Sequence, residues 1–422
     1  MPALDLLIHN TSEVLCLSSE LGLAPEQALS PIPAGAVGVA NGRIAYLGPG
    51  SAVPRDAVVS STQVIDAGGG FVGPGFIDPH THLVFAGERS TEFELRCRGA
   101  TYLDIARAGG GIHSTVRATR AASEDELVEL ASRRLSTLLA QGITTAEVKS
   151  GYGLSLDQEI KMLRVIRRLS AAQPVELIPT LLCAHAIPEE LGPQRSRYVD
   201  VCVREIIPAV AEAKLATFCD AFVDESAFTP DEARRILIAG GDHGLIPRLH
   251  ADQLSDLRSA ELAAELRASS ADHLEHVSAA GIEALKAANV SAVLAPTSTV
   301  FLRQERFAPG RRLLEAGVNI ALATNVNPGS AMSENLALTL GLACLGNGLS
   351  AAEAYWAATR GAALALRRAD LGHLTVGGVA DLVVWGCSSY RHLPYHLGVN
   401  HARWVLKSGR AVVTAEPRPL CG

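Results

Sequence analysis

Phe71-Val72-Gly73-Pro74-Gly75-Phe76-Ile77-Asp78-Pro79-His80-Thr81-His82 is an apolar run, broken by glycine and proline, that ends in two histidines one residue apart. It reads as a strand over 71–78 and marks a change of grammar along the chain. Before it lie short apolar runs and turns. After it, strand-like runs alternate with long amphipathic helices, the pattern of repeated βα units around a parallel sheet. The spacing predicts further strands near 143–148, 175–183, 217–223, 245–250, 270–275, 290–295 and 318–323. Eight strands over roughly 250 to 300 residues is the size of a (β/α)₈ barrel of the TIM type, which makes the chain an α/β protein. Two of the intervening helices announce their starts. Ser123-Glu124-Asp125-Glu126 is a capping box ahead of leucines at helical spacing, and Thr229-Pro230-Asp231-Glu232 combines a cap, a proline at the first helical position and a third-position Glu.

Working outward, the apolar runs 4–8, 36–40 and 44–47 flank Asn41-Gly42, a hairpin signal. The strand-and-turn pattern returns after residue 370, in 382–385 and 404–406, with Lys407-Ser408-Gly409-Arg410 turning afterwards. These ends are expected to pair. Residues 1–70 and 371–422 then form a small composite β-sandwich domain beside a barrel of residues 71–370.

The 422 residues are 48% hydrophobic and 19% charged, so a sizeable core can be buried. A net charge of −7, from 44 acidic and 37 basic residues without a basic face, argues against a nucleic-acid partner. No uncharged apolar span is long enough for a membrane helix, and the first ten residues read as a strand rather than a signal peptide. The eight cysteines show neither a CxxC pair nor a framework spacing, which suits the cytoplasm. A homodimer is left open.

In an extended strand His80 and His82 lie on the same face, and at the C-terminal mouth of a barrel strand that face points to the axis. Two neutral imidazoles there make half of a zinc or iron site. Alone, the pair is equally a pair of turn histidines. Later strand ends supply His185, His250 and His273, so five histidines fall on four strands, which chance placement explains poorly. The other eight of the 13 histidines fall in helices, loops or terminal segments. Among them His392 and His396 have i, i+4 spacing, but Pro394 argues against a helix that would pair them.

Together with Gly87-Glu88-Arg89, Ala106-Arg107-Ala108-Gly109-Gly110-Gly111-Ile112, Glu147-Val148-Lys149-Ser150-Gly151-Tyr152-Gly153-Leu154, Ala184-His185-Ala186-Ile187-Pro188, His250-Ala251-Asp252-Gln253-Leu254, Ala271-Asp272-His273-Leu274-Glu275 and Asn327-Pro328-Gly329-Ser330, this series resembles the imidazolonepropionases of the amidohydrolase superfamily almost end to end. The resemblance implies one divalent or trivalent metal per chain, zinc or iron, held by His80, His82, His250 and the residue at 325. It implies Arg89, Tyr152, His185, Gln253, Asn327, Gly329 and Ser330 around a small carboxylate-bearing substrate. His185, His273 and Asn325 would carry the chemistry, the opening of the ring of 4-imidazolone-5-propionate to N-formimino-L-glutamate in histidine degradation. A guanidinium suits a propionate, and Arg89 follows the first ligand strand closely; its bland alternative is a surface Arg in a charged loop. Tyr152, between two glycines, is expected on an exposed, ligand-facing loop. Gly109 to Gly111 lack the Gly-Lys-Ser/Thr of a phosphate cradle.

One position departs from the family. Where an aspartate is implied after the eighth strand, the chain reads Ala323-Thr324-Asn325-Val326-Asn327. Asn can lend a metal a neutral oxygen but cannot accept a proton from water. Three alternatives therefore stay open: another single-metal amidohydrolase such as a cyclic amidase or deaminase, a weakly active or inactive binding variant, and a two-metal enzyme bridged by a carboxylated lysine. For the last, Lys149 alone of Lys149, Lys161, Lys214, Lys286 and Lys407 is near a predicted strand end.

Overall fold

A computed structural model describes residues 2–18, 23, 25–100 and 110–414. The glycine-rich stretch at 106–109 singled out above lies outside them. Eight parallel strands, β1 (Phe76–Asp78), β2 (Ile143–Lys149), β3 (Glu176–Ala184), β4 (Phe218–Phe222), β5 (Ile246–Ala251), β6 (Ser270–His273), β7 (Ser291–Leu294) and β8 (Ile320–Leu322), are hydrogen-bonded in chain order. Just past their ends, β8 returns to β1: Asn325 N donates to His80 O (3.1 Å) and His82 N to Val326 O (3.0 Å). The helices between strands bury their apolar faces against this sheet. The helix Glu124–Ala140 starts at the Ser123–Glu126 capping box and buries Leu127, Ala131, Leu135, Leu138 and Leu139. The helix Pro230–Asp242 starts at the Thr229–Glu232 box. A cap of this kind contributes about 0.5 to 2 kcal/mol.

The strand expected over 71–78 is in fact two. Val72–Pro74 pairs antiparallel with Leu382–Trp385 in a second sheet, and only Phe76–Asp78 enters the barrel. Between them Gly75 donates to Asp381 O (3.0 Å), and a Cβ there would lie 2.3 Å from Thr144 Oγ1. The chain crosses between sheets where no side chain fits.

The ends of the chain meet in that second sheet, whose order is Arg410–Thr414, Ala402–Lys407, Leu382–Trp385, Val72–Pro74, Glu13–Leu15, Pro31–Pro33. A four-stranded sheet, Arg43–Pro49, Gly35–Ala40, Leu6–His9 and Gln63–Asp66, accompanies it. Leu6, Ile8, Val37, Val39 and Ile65 from one sheet pack on Val14, Val72, Leu382 and Val384 from the other. Both hairpin signals hold: Asn41 and Gly42 (φ 52° and 74°), like Ser408 and Gly409 (47° and 75°), take the paired positive φ of a type I′ turn. Trp385 joins the terminal sheet to the barrel, its ring 4.8 Å from Phe76 and 5.8 Å from Phe71. Each such aromatic pair adds about 0.5 to 1.5 kcal/mol beyond area burial.

Pro394 does not prevent a helical turn. His392–Tyr395 forms one, and the His392 and His396 rings lie 5.9 Å apart, with His396 Nδ1 3.1 Å from His401 Nε2. In a single turn the proline lacks only an N–H that has no intrahelical partner anyway. Among the described residues no helix is long and apolar enough to cross a membrane.

Candidate active site

Past β1 the chain runs on through Pro79 to His82, and β5 ends near His250. Their imidazoles converge: His82 Nε2 lies 3.2 Å from His80 Nε2 and 3.3 Å from His250 Nε2, with all three side chains buried. What aims them is a layer of carboxylates behind. His80 Nδ1 is 2.6 Å from Asp272 Oδ2 on β6, and His250 Nδ1 is 3.2 Å from Asp220 Oδ1 on β4. A carboxylate accepts, so each Nδ1 carries the proton and each Nε2 presents a lone pair, the tautomer a metal requires. Burial first, then Lys149 and the neighbouring imidazoles, holds His80 well below the ordinary histidine range; burial, His185 and His250 do the same to His82.

The carboxylates are themselves paired. Lys149 Nζ lies 2.8 Å from both Glu147 Oε1 and Asp220 Oδ2, and Arg248 Nη2 donates to Asp272 Oδ2 (2.9 Å) and Pro79 O (2.7 Å). Burial alone would raise the Asp220 carboxyl, but His250 and Lys149 outweigh it and hold it well below the usual range. Removing one partner of such a buried pair leaves a charge stranded, at a cost of about 3 to 5 kcal/mol.

Asn325 is buried beside His80, with φ at 54°. Its backbone carbonyl accepts from Asn327 Nδ2 (2.7 Å), while its Oδ1 is a buried acceptor with no partner among the described residues. The donor set fits a metal: three converging imidazoles, two of them held by Asp272 and Asp220 in the tautomer that presents Nε2, with a spare oxygen on the adjoining wall.

His273 ends β6 with φ at 84°, followed by Leu274 at 70°. Such left-handed positions in non-glycine residues cost about 1 to 3 kcal/mol each and cluster at functional sites. Its ring is 5.4 Å from those of His80 and His250, and its buried Nδ1 has no partner among the described residues. His185 donates from Nδ1 to Gly151 O (3.0 Å) and stacks on His82 at 5.0 Å. Burial, then His250, pushes its pKa down to about 3.

Tyr152 lies on the loop expected, but the loop is not exposed: the side chain is 3% accessible, with its ring 5.2 Å from His185. Buried Glu159 folds this loop, accepting from the backbone N–H of Gly151 (3.1 Å), Gly153 (2.9 Å) and Leu154 (2.8 Å). Gly151 needs its φ of 104°, and a Cβ on Gly153 would meet Gln158 at 2.6 Å. Arg89 is no surface residue either. Its Nε and Nη2 donate to Glu92 Oε2 (2.9 and 2.6 Å), and Glu92 Oε1 accepts from Gly111 N and Ser114 Oγ. Asn327 Oδ1 accepts from the N–H of Gly329 and of Ser330, both at 2.8 Å, closing the 327–330 turn.

These residues share one pocket of about 860 Å³ at the barrel mouth, lined by His82, His250, His273 and Asn325 on the inner side and by Arg89, Tyr152, His185, Gln253, Asn327, Gly329 and Ser330 around it. His80 lies behind His82, off the lining. A hollow of about 940 Å³ between the turns at Asn41–Gly42 and Ser408–Gly409 holds no histidine, so the chemistry belongs at the barrel mouth. Glu92, Glu147, Asp220, Arg248 and Asp272 were not foreseen. A signal existed for Glu147 and Arg248, each a charge two residues before Lys149 or His250 in the same strand and so on the same face.

A sequence profile of the amidohydrolase family matches residues 99–413. The chain is 65% identical to an imidazolonepropionase of Myxococcus xanthus over 413 residues, 98% of each chain. It is 51% identical to one of Anaeromyxobacter dehalogenans, covering 99% of this chain and 98% of that one. Among solved structures, a triazine hydrolase variant (TM-score 0.75, 19% identity, 99% and 96% of the two chains) and a 5-methylcytosine deaminase of Klebsiella pneumoniae (0.74, 16%, 97% and 98%) share the fold. Identity of that extent, over a barrel with three converging imidazoles, makes the chain a member of the amidohydrolase family, among its imidazolonepropionases.

Proposed function

We propose that the chain hydrolyses the ring of 4-imidazolone-5-propionate to N-formimino-L-glutamate, a step of histidine degradation. The observation that carries this reading is the 65% identity, over 98% of both chains, to the Myxococcus xanthus imidazolonepropionase. His80, His82 and His250, with Asn325 as a further oxygen donor, would hold one metal, zinc or iron. A metal there supplies a Lewis acid that acidifies water and polarises the ring carbonyl.

The protein's own residues divide the remaining work. Asp272 and Asp220 fix the tautomers of two ligands. Tyr152 and His185 offer flat faces to a flat ring. Because a neutral His185 gives its one N–H to Gly151 O, its Nε2 can only accept, which suits a ring N–H of the substrate. Steadying an oxyanion therefore falls to His273, whose Nδ1 has no competing partner. Arg89 takes the propionate. A bridging carbamate on Lys149 would set a third negative charge between Glu147 and Asp220, which favours one metal over two. None of the seven described cysteines is in a disulfide, which suits a reducing compartment and supports the cytoplasm.

The test is turnover of imidazolone propionate by metal-loaded protein, with metal counted per chain. Ring opening with about one metal supports the reading. No turnover favours the binding variant suggested by Asn325, and two metals would return Lys149 to the site.

A further inference from the structure

We propose that Arg96 is a second carboxylate receptor, supplying the uncompensated charge that makes the pocket prefer an acidic substrate; this rests on the ring-opening reading above. Arg96 stands in the helix Ser90–Cys97 and lines the same pocket as Arg89. The two guanidinium groups differ in what they have left to give. Arg89 has its Nε and Nη2 edge on one oxygen of Glu92, Oε2, an ion pair that offsets its charge. Arg96 is within ion-pair distance of no carboxylate among the described residues. Its Nη2 donates to a neutral acceptor, Gly329 O (2.9 Å), and its Nε is buried without a partner. Its Cζ lies 5.3 Å from the centre of the Phe301 ring, a contact that helps to hold the group in place.

The two arginines meet at Gly329. A Cβ there would fall 2.3 Å from Arg89 Nη1, so the glycine exists to let one guanidinium in, while its carbonyl holds the other. Gly329 N–H is turned away to Asn327 Oδ1, so it does not compete for an anion. The corner thus carries Arg89, Arg96 and Arg303, whose Nη1 donates to Arg96 O (3.3 Å), against Glu92, which also acts on Arg96. A half-buried cation with no ion-pair partner among the described residues is costly to keep, unless a ligand brings the anion. The propionate is that anion: Arg89, clamped by Glu92, fixes where it sits, and Arg96 supplies the charge that discriminates it from a neutral tail. Arg suits this position because its planar fork grips a carboxylate with two parallel bonds.

The experiment uses the metal-loaded full chain with two substrates, imidazolone propionate and its uncharged propionamide. Arg96→Met is expected to raise KM for the acid by about 10 to 100-fold, the worth of a hydrogen-bonded charge, with kcat nearly unchanged. Any loss of kcat/KM on the amide should be much smaller than the loss on the acid, since the amide tail carries no charge. Arg96→Lys should recover part of the loss, having charge without the fork. Equal losses on acid and amide, or no loss on the acid, would overturn the proposal, since a packing role does not sense the tail's charge. Failure of the unmodified protein to open either substrate would overturn the ring-opening reading itself, and this inference with it.

Discussion

Replacing Asn325 by aspartate tests the chemistry more directly than any other change. The residue is buried, its backbone is held by bonds to His80 and Asn327, and neither atom of its carboxamide makes a described hydrogen bond. Asp tolerates the left-handed backbone at φ 54° as Asn does, and the two side chains are nearly isosteric. The substitution therefore changes charge and basicity and little else. A carboxylate there can take a proton from water and return it to the departing nitrogen, which an amide cannot. A positioned base contributes about 10² to 10⁴ in rate, so Asn325→Asp should raise kcat by most of that factor, equivalent to about 3 to 5 kcal/mol of barrel-mouth stabilisation of the transition state. A second signature distinguishes this from a packing effect. Without metal, the new carboxylate is buried with no bonded partner, so the metal-free variant should melt lower, while the metal-loaded one should hold its metal more tightly. The assay is kcat across pH at matched metal occupancy, with melting of both forms. If the variant is no faster when fully loaded, another group such as His273 is the base and the role given to position 325 is wrong.

The other predictions follow from single contacts. Arg89→Ala should raise KM with little effect on metal content, and it should also cost stability, because Glu92 is left partly buried without its partner, at a combined cost of about 2 to 5 kcal/mol; unchanged kinetics would remove Arg89 from the pocket. His80→Ala or His250→Ala should strip the metal, which elemental analysis after dialysis detects; stoichiometric retention would mean that the ligand set is misassigned. Buried Glu275, bonded to Thr299 Oγ1 (2.9 Å), has its pKa pushed by burial up to about 7 from an ordinary 4.5. Between those values the unfolded chain has lost a proton that the folded chain keeps, so stability falls as pH rises through this window, by about 1.4 kcal/mol per unit. Glu275→Gln should abolish that slope, gaining about 3 kcal/mol near pH 8 and nothing near pH 4; denaturant titrations with parallel pH profiles for both proteins would contradict it.

How much of this was legible depends on how local the cause is. Strands β2 to β8 lie within two residues of where apolar runs and turn residues put them, because a strand buried on both faces writes its own signature. The break at Gly75 was invisible, since the reason for it, Thr144 pressing on the backbone, comes from another strand. The His80 and His82 pair was readable because period-two geometry is a local fact. Asp220 and Asp272 were not, as their task is set by how strands distant in sequence come together: Asp220 reaches His250 from the neighbouring β4, and Asp272 reaches His80, beyond the end of β1, from β6. The positive φ at His273 and Leu274 left no trace, because neither residue is a glycine. Tyr152 was placed on the right loop with the wrong exposure, since buried Glu159 draws that loop inward by three backbone bonds.

The charge layer behind the histidines explains why a barrel of this kind spends so much burial on polar groups. Glu147, Asp220 and Asp272 face Lys149 and Arg248, three negative charges against two positive, all shut away from water. Apolar residues of equal volume would serve stability as well or better. They would not fix a tautomer. With Asp220 and Asp272 in place, His250 and His80 have no choice about which nitrogen faces the pocket, and Lys149, touching Asp220 at 2.8 Å and 4.0 Å from Asp272, ties the two carboxylates into one unit. The unbalanced negative charge then lies on the far side of the imidazoles from the pocket, where it favours a cation at the converging Nε2 atoms without occupying a coordination position. The pocket wall is mixed instead: Arg89, Arg96 and Arg303 line it together with Glu92, Asp224 and Glu225, so among the described residues the layer behind the imidazoles is the part of the site whose charge favours a cation.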